Sequence, residues 1–257
     1  MSMRWMVMMG FVLATAPLVY AQEAPATRAR SSGPARDHGF ISAGVGVQQK
    51  AGSFSETWTT PLHAEDARFS ARYAPGSGRL FRVGGGVTLW RGLGVRVAVN
   101  SASPGADVAL SGSLPHPFRF DDARTIEGTR PGFTRAETGV HVHAAYVLPT
   151  PRRIHASVFA GPSWISIRQE LVDRVTYEDS YPYDTATFTG AVSTSVSTRR
   201  GTVGVGAAVY VGVLGPVHAG VEVLHARATV AVDRAGDRRV ETRAGGTQVT
   251  VGVLVPF

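Results

Sequence analysis

The stretch Val203–Val223 reads VGVGAAVYVGVLGPVHAGVEV and carries the pattern that decides the fold. Valine or alanine occupies every second position over Val203–Val213 and again over Val217–Val223, which is the period of a β-strand. The positions between them hold glycine, alanine, tyrosine, histidine and glutamate. Because Leu214–Pro216 separates the two runs, the stretch predicts two antiparallel strands joined by a tight turn.

The same alternation recurs along the chain and predicts eight strands in all. One face of each is apolar, and these faces run over Ile41–Val47, Phe81–Leu89, Leu93–Val99, Val140–Leu148, Ile154–Ala160, Val203–Val213, Val217–Val223 and Val249–Phe257. The other face mixes glycine with polar and charged residues. A soluble sandwich would carry Lys, Glu, Thr and Ser on that second face. A glycine-rich face with tyrosine and histidine instead favours the crowded interior of a narrow barrel.

The segments between the predicted strands alternate strictly between long and short. The long ones are 50–78, 103–135, 169–201 and 231–243, and the short ones are 90–92, 149–153 and 214–216. Membrane barrels have long extracellular loops and short periplasmic turns. The apolar faces also join on one side when Leu89 pairs with Leu93, Leu148 with Ile154, and Val213 with Val217. The predicted fold is all-β: a closed, eight-stranded, antiparallel, up-and-down transmembrane barrel.

Composition excludes several other classes of protein. The 257 residues contain no cysteine, which excludes disulfide scaffolds and cysteine-ligated metal sites. Lys and Arg number 26 against 19 Asp and Glu, a formal net charge of +7. The arginines are dispersed and mostly lie beside acidic residues, so a nucleic-acid footprint is not indicated. Mean hydropathy is +0.02 with 30 glycines, as expected if apolar and small residues alternate.

The amino-terminal segment has the features of a secretory signal. Arg4 provides a positive start, the run from Met6 to Val19 is mostly apolar, and Val19-Tyr20-Ala21 fits a small-x-small cleavage site. The apolar run is short for a membrane-spanning helix. We therefore predict a signal peptide over residues 1–21, a disordered periplasmic leader over 22–37, and a barrel domain over 38–257. Export to the cell outer membrane of a Gram-negative bacterium follows from this organisation.

The last strand ends on Phe257, and this end resembles the C-terminal strand of bacterial outer-membrane proteins. Pro256 departs from that pattern because proline cannot donate to a β-ladder. In pattern, residues 38–257 resemble the small barrels of the OmpA-barrel, OmpX and OmpW type. The resemblance implies a monomer that is embedded among outer-membrane lipid and lipopolysaccharide. It also implies that Phe257 is an assembly signal read by the barrel-assembly machinery.

Polar residues on the inner faces are predicted to form a network inside the lumen, comprising Arg82, Arg96, His141, His143, Tyr210 and Glu222. Because a buried charge needs a partner, Glu222 is expected to pair with Arg82 or Arg96. His141 and His143 lie two positions apart on one face, about 7 Å by the strand rise. His155 is expected opposite Val147, too far along to complete a metal site, so neither metal nor cofactor is predicted.

Enzymatic alternatives fit the pattern poorly. His155 and Ser157 resemble the spacing of the dyad in barrel lipid A deacylases, but that dyad must face lipid and both residues here are predicted to face inward. An omptin-like protease would need ten strands. No catalytic residue is predicted.

Two segments between strands are richer in chemistry than simple connections. Residues 115–122 (PHPFRFDD) and 181–188 (YPYDTATF) combine aromatic side chains with proline and aspartate. They suit contact surfaces, or loops that cover the barrel mouth or prolong its strands. Asp121 and Asp122 are consistent with calcium ligands or with the residues of an ordinary turn. The predicted function is a structural or surface-interaction role without catalysis; the alternatives are a narrow channel for small or apolar solutes and, more remotely, a lipid-modifying enzyme.

Overall fold

A computed structural model describes residues 38–49, 52–151, 153–233 and 239–257, which form strands and the turns between them. The predicted signal peptide and leader lie outside the described residues. The strands are β1 (Gly39–Gln48), β2 (Phe54–Leu62), β3 (Glu65–Pro75), β4 (Gly78–Trp90), β5 (Leu93–Ser103), β6 (Gly105–Pro115), β7 (Ala123–Val147), β8 (Ile154–Ser180), β9 (Thr185–Leu214), β10 (Val217–Asp233) and β11 (Arg239–Pro256). Among the described residues, no helix is long and apolar enough to cross a membrane.

Eight of these strands close into a ring, which is the predicted barrel. Its order is β1-β4-β5-β7-β8-β9-β10-β11, and every neighbouring pair is antiparallel. The first and last strands close the ring where Ile41 pairs with Val255 and Val45 with Val251. Closure pairs each of these eight strands on both sides, which is the condition for strands to cross a bilayer.

The outer and inner faces of the barrel divide as the alternation predicts. On β4, Val83 is 63% exposed while its neighbour Arg82 is 5% exposed, and the same contrast recurs around the ring. The exposed apolar residues form a continuous band, as a lipid-facing surface requires.

The predicted long loops are largely strands, which corrects the sequence interpretation. Residues 50–78 contain β2 and β3, and residues 103–135 contain β6 and the first half of β7. Residues 169–201 lie mostly within β8 and β9, which have 27 and 30 residues. About ten residues suffice for a strand to cross a membrane, so these hairpins are far longer than a bilayer requires.

Above the membrane the polarity of the strands inverts. Phe69 and Tyr73 of β3 point into a buried core, whereas Arg68 and Arg72, the residues that precede them, are exposed. We call this region the cap: β2, β3, β6, and residues 123–134 of β7 and 170–194 of β8 and β9. The apolar core of the cap also includes Trp58, Leu110, Leu114, Ile126, Phe133, Leu171, Val172 and Val175. The cap is therefore a packed β-structure rather than a set of loops.

The turn between β7 and β8 has a register that differs from the prediction. Val147 pairs with Ser157, so the predicted pairing of Leu148 with Ile154, and of His155 with Val147, is wrong by two residues. Pro149 and Pro151 explain the shift, because neither has an N–H to donate and the ladder cannot continue through them. Leu148 instead donates its backbone N–H to the carbonyl of Ala156 at 2.8 Å.

The other two short hairpins keep the predicted register along their strands. Val87 pairs with Val95, and Gly212 pairs with His218. Only the last pair before each turn differs: Trp90 pairs with Leu93, and Leu214 with Val217. The first turn uses Arg91 and Gly92 with φ angles of 49° and 87°, the backbone that a two-residue hairpin turn requires.

Candidate functional site

The centre of the lumen contains one carboxylate shared by two arginines. Glu222 of β10 lies 2.8 Å from Arg82 Nη2 of β4 and 2.7 Å from Arg96 Nη2 of β5. All three side chains are at most 5% exposed. The sequence predicted a pair with one arginine, and the structure brings both to Glu222.

Further contacts hold this cluster in place. The Arg96 guanidinium lies 3.8 Å from the centroid of the Phe159 ring. At this distance the cation is attracted to the electron-rich face of the ring, which stabilises its position. The Tyr210 hydroxyl donates to Glu222 Oε2 at a long 3.5 Å. Two cations face one anion, so loss of the carboxylate would leave two buried positive charges that repel each other.

A histidine layer lies beside the ion-pair cluster. His141 Nδ1 is 2.8 Å from Ser163 Oγ, and His141 Nε2 is 2.6 Å from Asn100 Oδ1. His143 Nε2 is 3.2 Å from the same Ser163 hydroxyl. The corrected register explains this arrangement, because it places Ser163 directly opposite His141. Ser163 was missed in the sequence analysis because the predicted pairing of β7 with β8 was shifted by two residues.

The histidines do not converge with acidic groups. His155 lies against Phe40, with ring centroids 5.5 Å apart, rather than beside His141 and His143. Within the described parts of the chain, no three His, Cys, Asp or Glu side chains are grouped as metal ligands. Ser157 is 5% exposed and lies on the same lumen side as His155, so this pair does not face lipid.

A second buried network, which sequence reasoning missed, lies toward the cap. Arg135 pairs with Glu137 at 2.6 Å and donates to Gln169 Oε1 at 2.9 Å. Gln48 Nε2 and the backbone N–H of Gly245 both donate to Glu137 Oε2, at 2.7 and 2.8 Å. Arg135 and Glu137 continue the alternation of the inward histidines on β7. Extending the inward–outward alternation of β7 back to residue 135, which was predicted to end a loop, would have identified both residues.

Between these networks, glycines make room for large inward side chains. A Cβ at Gly204 would lie 2.6 Å from Ser163 Oγ and 2.9 Å from His143 Nε2. Leu80, Leu224 and Leu254 fill further space and are each 1% exposed. Because the side chains at this level are almost completely buried, the lumen is closed there.

The two chemically rich segments meet at the tip of the cap. The buried Arg124 lies 2.5 Å from Asp179 Oδ1 and donates to the carbonyl oxygens of Tyr183 and Pro115, each at 3.1 Å. The rings of Phe118 and Tyr183 are 5.4 Å apart in an edge-on arrangement. Residues 115–122 and 181–188 therefore form one tip rather than two independent loops.

Charges and exposed aromatic rings surround this contact. Arg119 bridges Asp122, at 3.1 Å, and Asp184. Phe118, Phe120 and Tyr181 are 76%, 75% and 88% exposed. Burial raises the pKa of the Tyr177 hydroxyl, and the charge of Asp179 raises that pKa further. The tip thus presents apolar rings on a frame fixed by ion pairs.

A cavity of about 620 Å³ lies where the barrel meets the cap. Its lining includes Ser53, Pro75, Gly76, Gly105, Asp107 and Gly132. Pro75, Gly76 and Gly105 flank the two breaks at which β3 passes into β4 and β5 into β6. The cavity therefore lies at the junction of the two regions rather than within the Arg82–Glu222 cluster.

Solved structures with a similar fold share little sequence with this chain. The outer membrane protein OprG from Pseudomonas aeruginosa matches with a TM-score of 0.51 and 7% identity, over 86% of this chain and 96% of that chain. The chain is an eight-stranded β-barrel of the outer-membrane type. Neisserial surface protein A matches with a TM-score of 0.39 and 13% identity, over 85% of this chain and 97% of that one. The attachment invasion locus protein Ail of Yersinia pestis matches with a TM-score of 0.36 and 10% identity, over 84% and 99%.

Sequence comparisons add nothing to this fold assignment. No model of a known protein family matches the chain, and no curated protein matches it. The backbone N–H of Phe257 donates to the carbonyl of Gly39 at 2.9 Å. The last residue therefore lies at the seam of the ring, and its role as an assembly signal stays a prediction.

Proposed function

We propose that this protein is a non-conducting barrel of the outer membrane that presents the cap at the cell surface for contact with a partner outside the cell. The observation that carries the proposal is the contrast between a lumen filled by the Arg82–Glu222–Arg96 cluster and a tip with exposed rings. A structure built for passage would leave its inner side chains accessible to water. Here the accessible chemistry is at the tip.

The construction of the cap supports a contact role. Its own apolar core makes it rigid, and contacts made from a rigid base lose less conformational entropy on binding. Exposed aromatic side chains are common among the residues that contribute most to protein interfaces. The inward positions of His155 and Ser157 support a role without catalysis.

The proposal is tested by cell adhesion. A Gram-negative host that expresses the protein should adhere to neighbouring cells or to coated surfaces more strongly than the empty host. The double variant Phe120→Ser, Tyr181→Ser should lose most of this gain, because both rings are exposed and the Phe118–Tyr183 contact is kept. A matched control is Arg68→Gln, Arg72→Gln on the wall of the cap, which should retain adhesion. Equal adhesion by the empty host and by cells with the wild-type protein would argue against a contact role.

A second candidate is a narrow passage for small apolar solutes, and the cavity between barrel and cap favours it. The cavity is close to a much smaller space bordered by Phe54, Tyr73 and Arg135, with Pro75 and Ala106 lining both. The rings of Phe54 and Tyr73 stack at 4.6 Å, which narrows any route to the lumen. Uptake of a labelled apolar solute into vesicles containing the protein tests this candidate. Uptake that increases when Phe54 is replaced by alanine would favour passage over surface contact.

A further inference from the structure

The outer face of β8, β9 and β10 carries a group of exposed arginines just above the lipid-facing band. We call Arg168, Arg199 and Arg227 the arginine patch. None of the three has an ion-pair partner among the residues that the structure describes. They differ in this from the arginines of the lumen and of the tip, which are paired with acids.

The strand register brings the patch together. Arg199 lies opposite Ser166, and Arg168 lies opposite Ser197. Arg168 and Arg199 are therefore diagonal neighbours on one face, with Cα atoms about 7–8 Å apart. On β10, the carbonyl of Arg227 accepts a hydrogen bond from Thr202 Oγ1 at 2.6 Å, which holds this strand beside the upper part of β9.

Little negative charge offsets the patch. The 30 residues of β9 include two arginines and no Asp or Glu. Glu170 lies two positions beyond Arg168 on β8, and its carboxylate already accepts the backbone N–H of Thr134 at 2.9 Å. The positive potential of the patch is therefore available to an external anion.

Trp164 fixes the depth of the patch in the membrane. Its side chain is 38% exposed, and it pairs with Gly201, two positions from Arg199. Below it, Val203 and Val205 are 67% and 51% exposed and belong to the apolar band. Tryptophan concentrates where hydrocarbon gives way to headgroups. The arginine patch consequently lies at the level of the headgroups, on the extracellular side.

We propose that the arginine patch binds the phosphate groups of a lipopolysaccharide molecule in the outer leaflet, with its acyl chains along the apolar band. Arginine pairs with phosphate through two parallel N–H···O bonds, and several arginines match a headgroup that carries more than one phosphate. The hydroxyls of Ser195 and Ser197 lie on the same outward side, since Arg168 Nε donates to Ser195 Oγ at 3.1 Å and pairs across the ladder with Ser197. These hydroxyls suit the sugar units that carry the phosphates. The proposal is independent of the partner that the tip contacts.

The test is titration of labelled diphosphoryl lipid A into the refolded full chain in zwitterionic detergent. The triple variant Arg168→Gln, Arg199→Gln, Arg227→Gln should bind it about 100-fold more weakly, because each arginine near a charged membrane surface contributes roughly a factor of five. The control variant Arg68→Gln, Arg72→Gln, Arg130→Gln removes the same charge from the cap wall and should bind like the wild type. Heat-dependent gel mobility reports whether each variant is folded.

Other ligands and variants make the test decisive. Wild-type protein should bind diphosphoryl lipid A more tightly than monophosphoryl lipid A or phosphatidylglycerol, and should not be saturated by inorganic phosphate. Replacement of the three arginines by lysine should retain part of the affinity. If the triple variant binds like the wild type, or if both triple variants lose affinity equally, the patch is not the site. If the glutamine variant does not fold, the lysine variant and the single variant Arg199→Gln decide in the same way.

Discussion

Replacement of Glu222 by glutamine should be among the most destabilising single changes in the barrel. The carboxylate lies 2.8 and 2.7 Å from two guanidinium groups that are at most 5% exposed. Removing one partner of a buried ion pair costs about 3–5 kcal/mol, because the remaining charge is left uncompensated. Glutamine would leave two such charges facing each other, so we expect the free energy of unfolding to fall by at least ~3 kcal/mol.

The measurement is reversible urea unfolding in lipid vesicles, followed by tryptophan fluorescence. Glu127→Gln, which removes an exposed carboxylate of the cap, is the control and should change the free energy of unfolding by less than about 0.5 kcal/mol. The triple variant Arg82→Met, Arg96→Met, Glu222→Leu should regain most of the lost stability, since a buried ion pair can be replaced by packed apolar side chains. A Glu222→Gln protein within about 1 kcal/mol of the wild type would show that the barrel does not need this carboxylate to offset the two arginine charges.

Three further variants test other parts of the account. Gly204→Val should lower the free energy of unfolding by about 1–3 kcal/mol by overpacking against Ser163 and His143, whereas Gly105→Ala, with nothing within 4 Å of its Cβ, should change it little in the same urea assay. Arg124→Met removes charge-assisted hydrogen bonds worth roughly 1.5–3 kcal/mol each, so limited proteolysis should cut the tip at least ~10-fold faster while the barrel stays intact. Arg72→Met on the exposed wall should leave that rate unchanged. Trp164→Ala should weaken the binding of lipid A less than the arginine variant does, because it removes an interfacial ring but no charge.

The barrel could be predicted from sequence because one physical condition governs each of its strands. Apolar residues must face lipid, and the inner face must be small or polar, so a period of two is visible in every strand of the ring. The pairing of Glu222 with arginine followed from parity and from the cost of burying a charge. That one carboxylate contacts both arginines depends on how β4, β5 and β10 curve around the lumen. The alternation of inward and outward residues does not specify this curvature.

The cap could not be predicted from the same pattern, because its polarity is reversed. Phe69 and Tyr73 face inward there, whereas apolar residues of the barrel face outward. A single rule for both regions therefore misassigned the strands of the cap as loops. The register of β8 was missed for a local reason: Pro149 and Pro151 interrupt the ladder, and counting residues across the turn ignores that interruption.

The chemistry of the tip also depends on contacts that are distant in sequence. Arg124 and Asp179 are 55 residues apart in the sequence. The residues around either one do not indicate that the two side chains meet. The composition of each segment indicated a contact surface, but only the fold shows that both build one.

Single-channel recording of the refolded protein in planar bilayers tests the closed lumen most directly. We expect no steady conductance for the wild type, because the Arg82–Glu222–Arg96 cluster, the histidine layer and the packed leucines fill the interior. Brief, rare openings are compatible with side-chain motion. A large, steady conductance from protein whose folded state is verified by gel mobility would contradict the closed lumen and, with it, the proposed role of the barrel as a support for the cap.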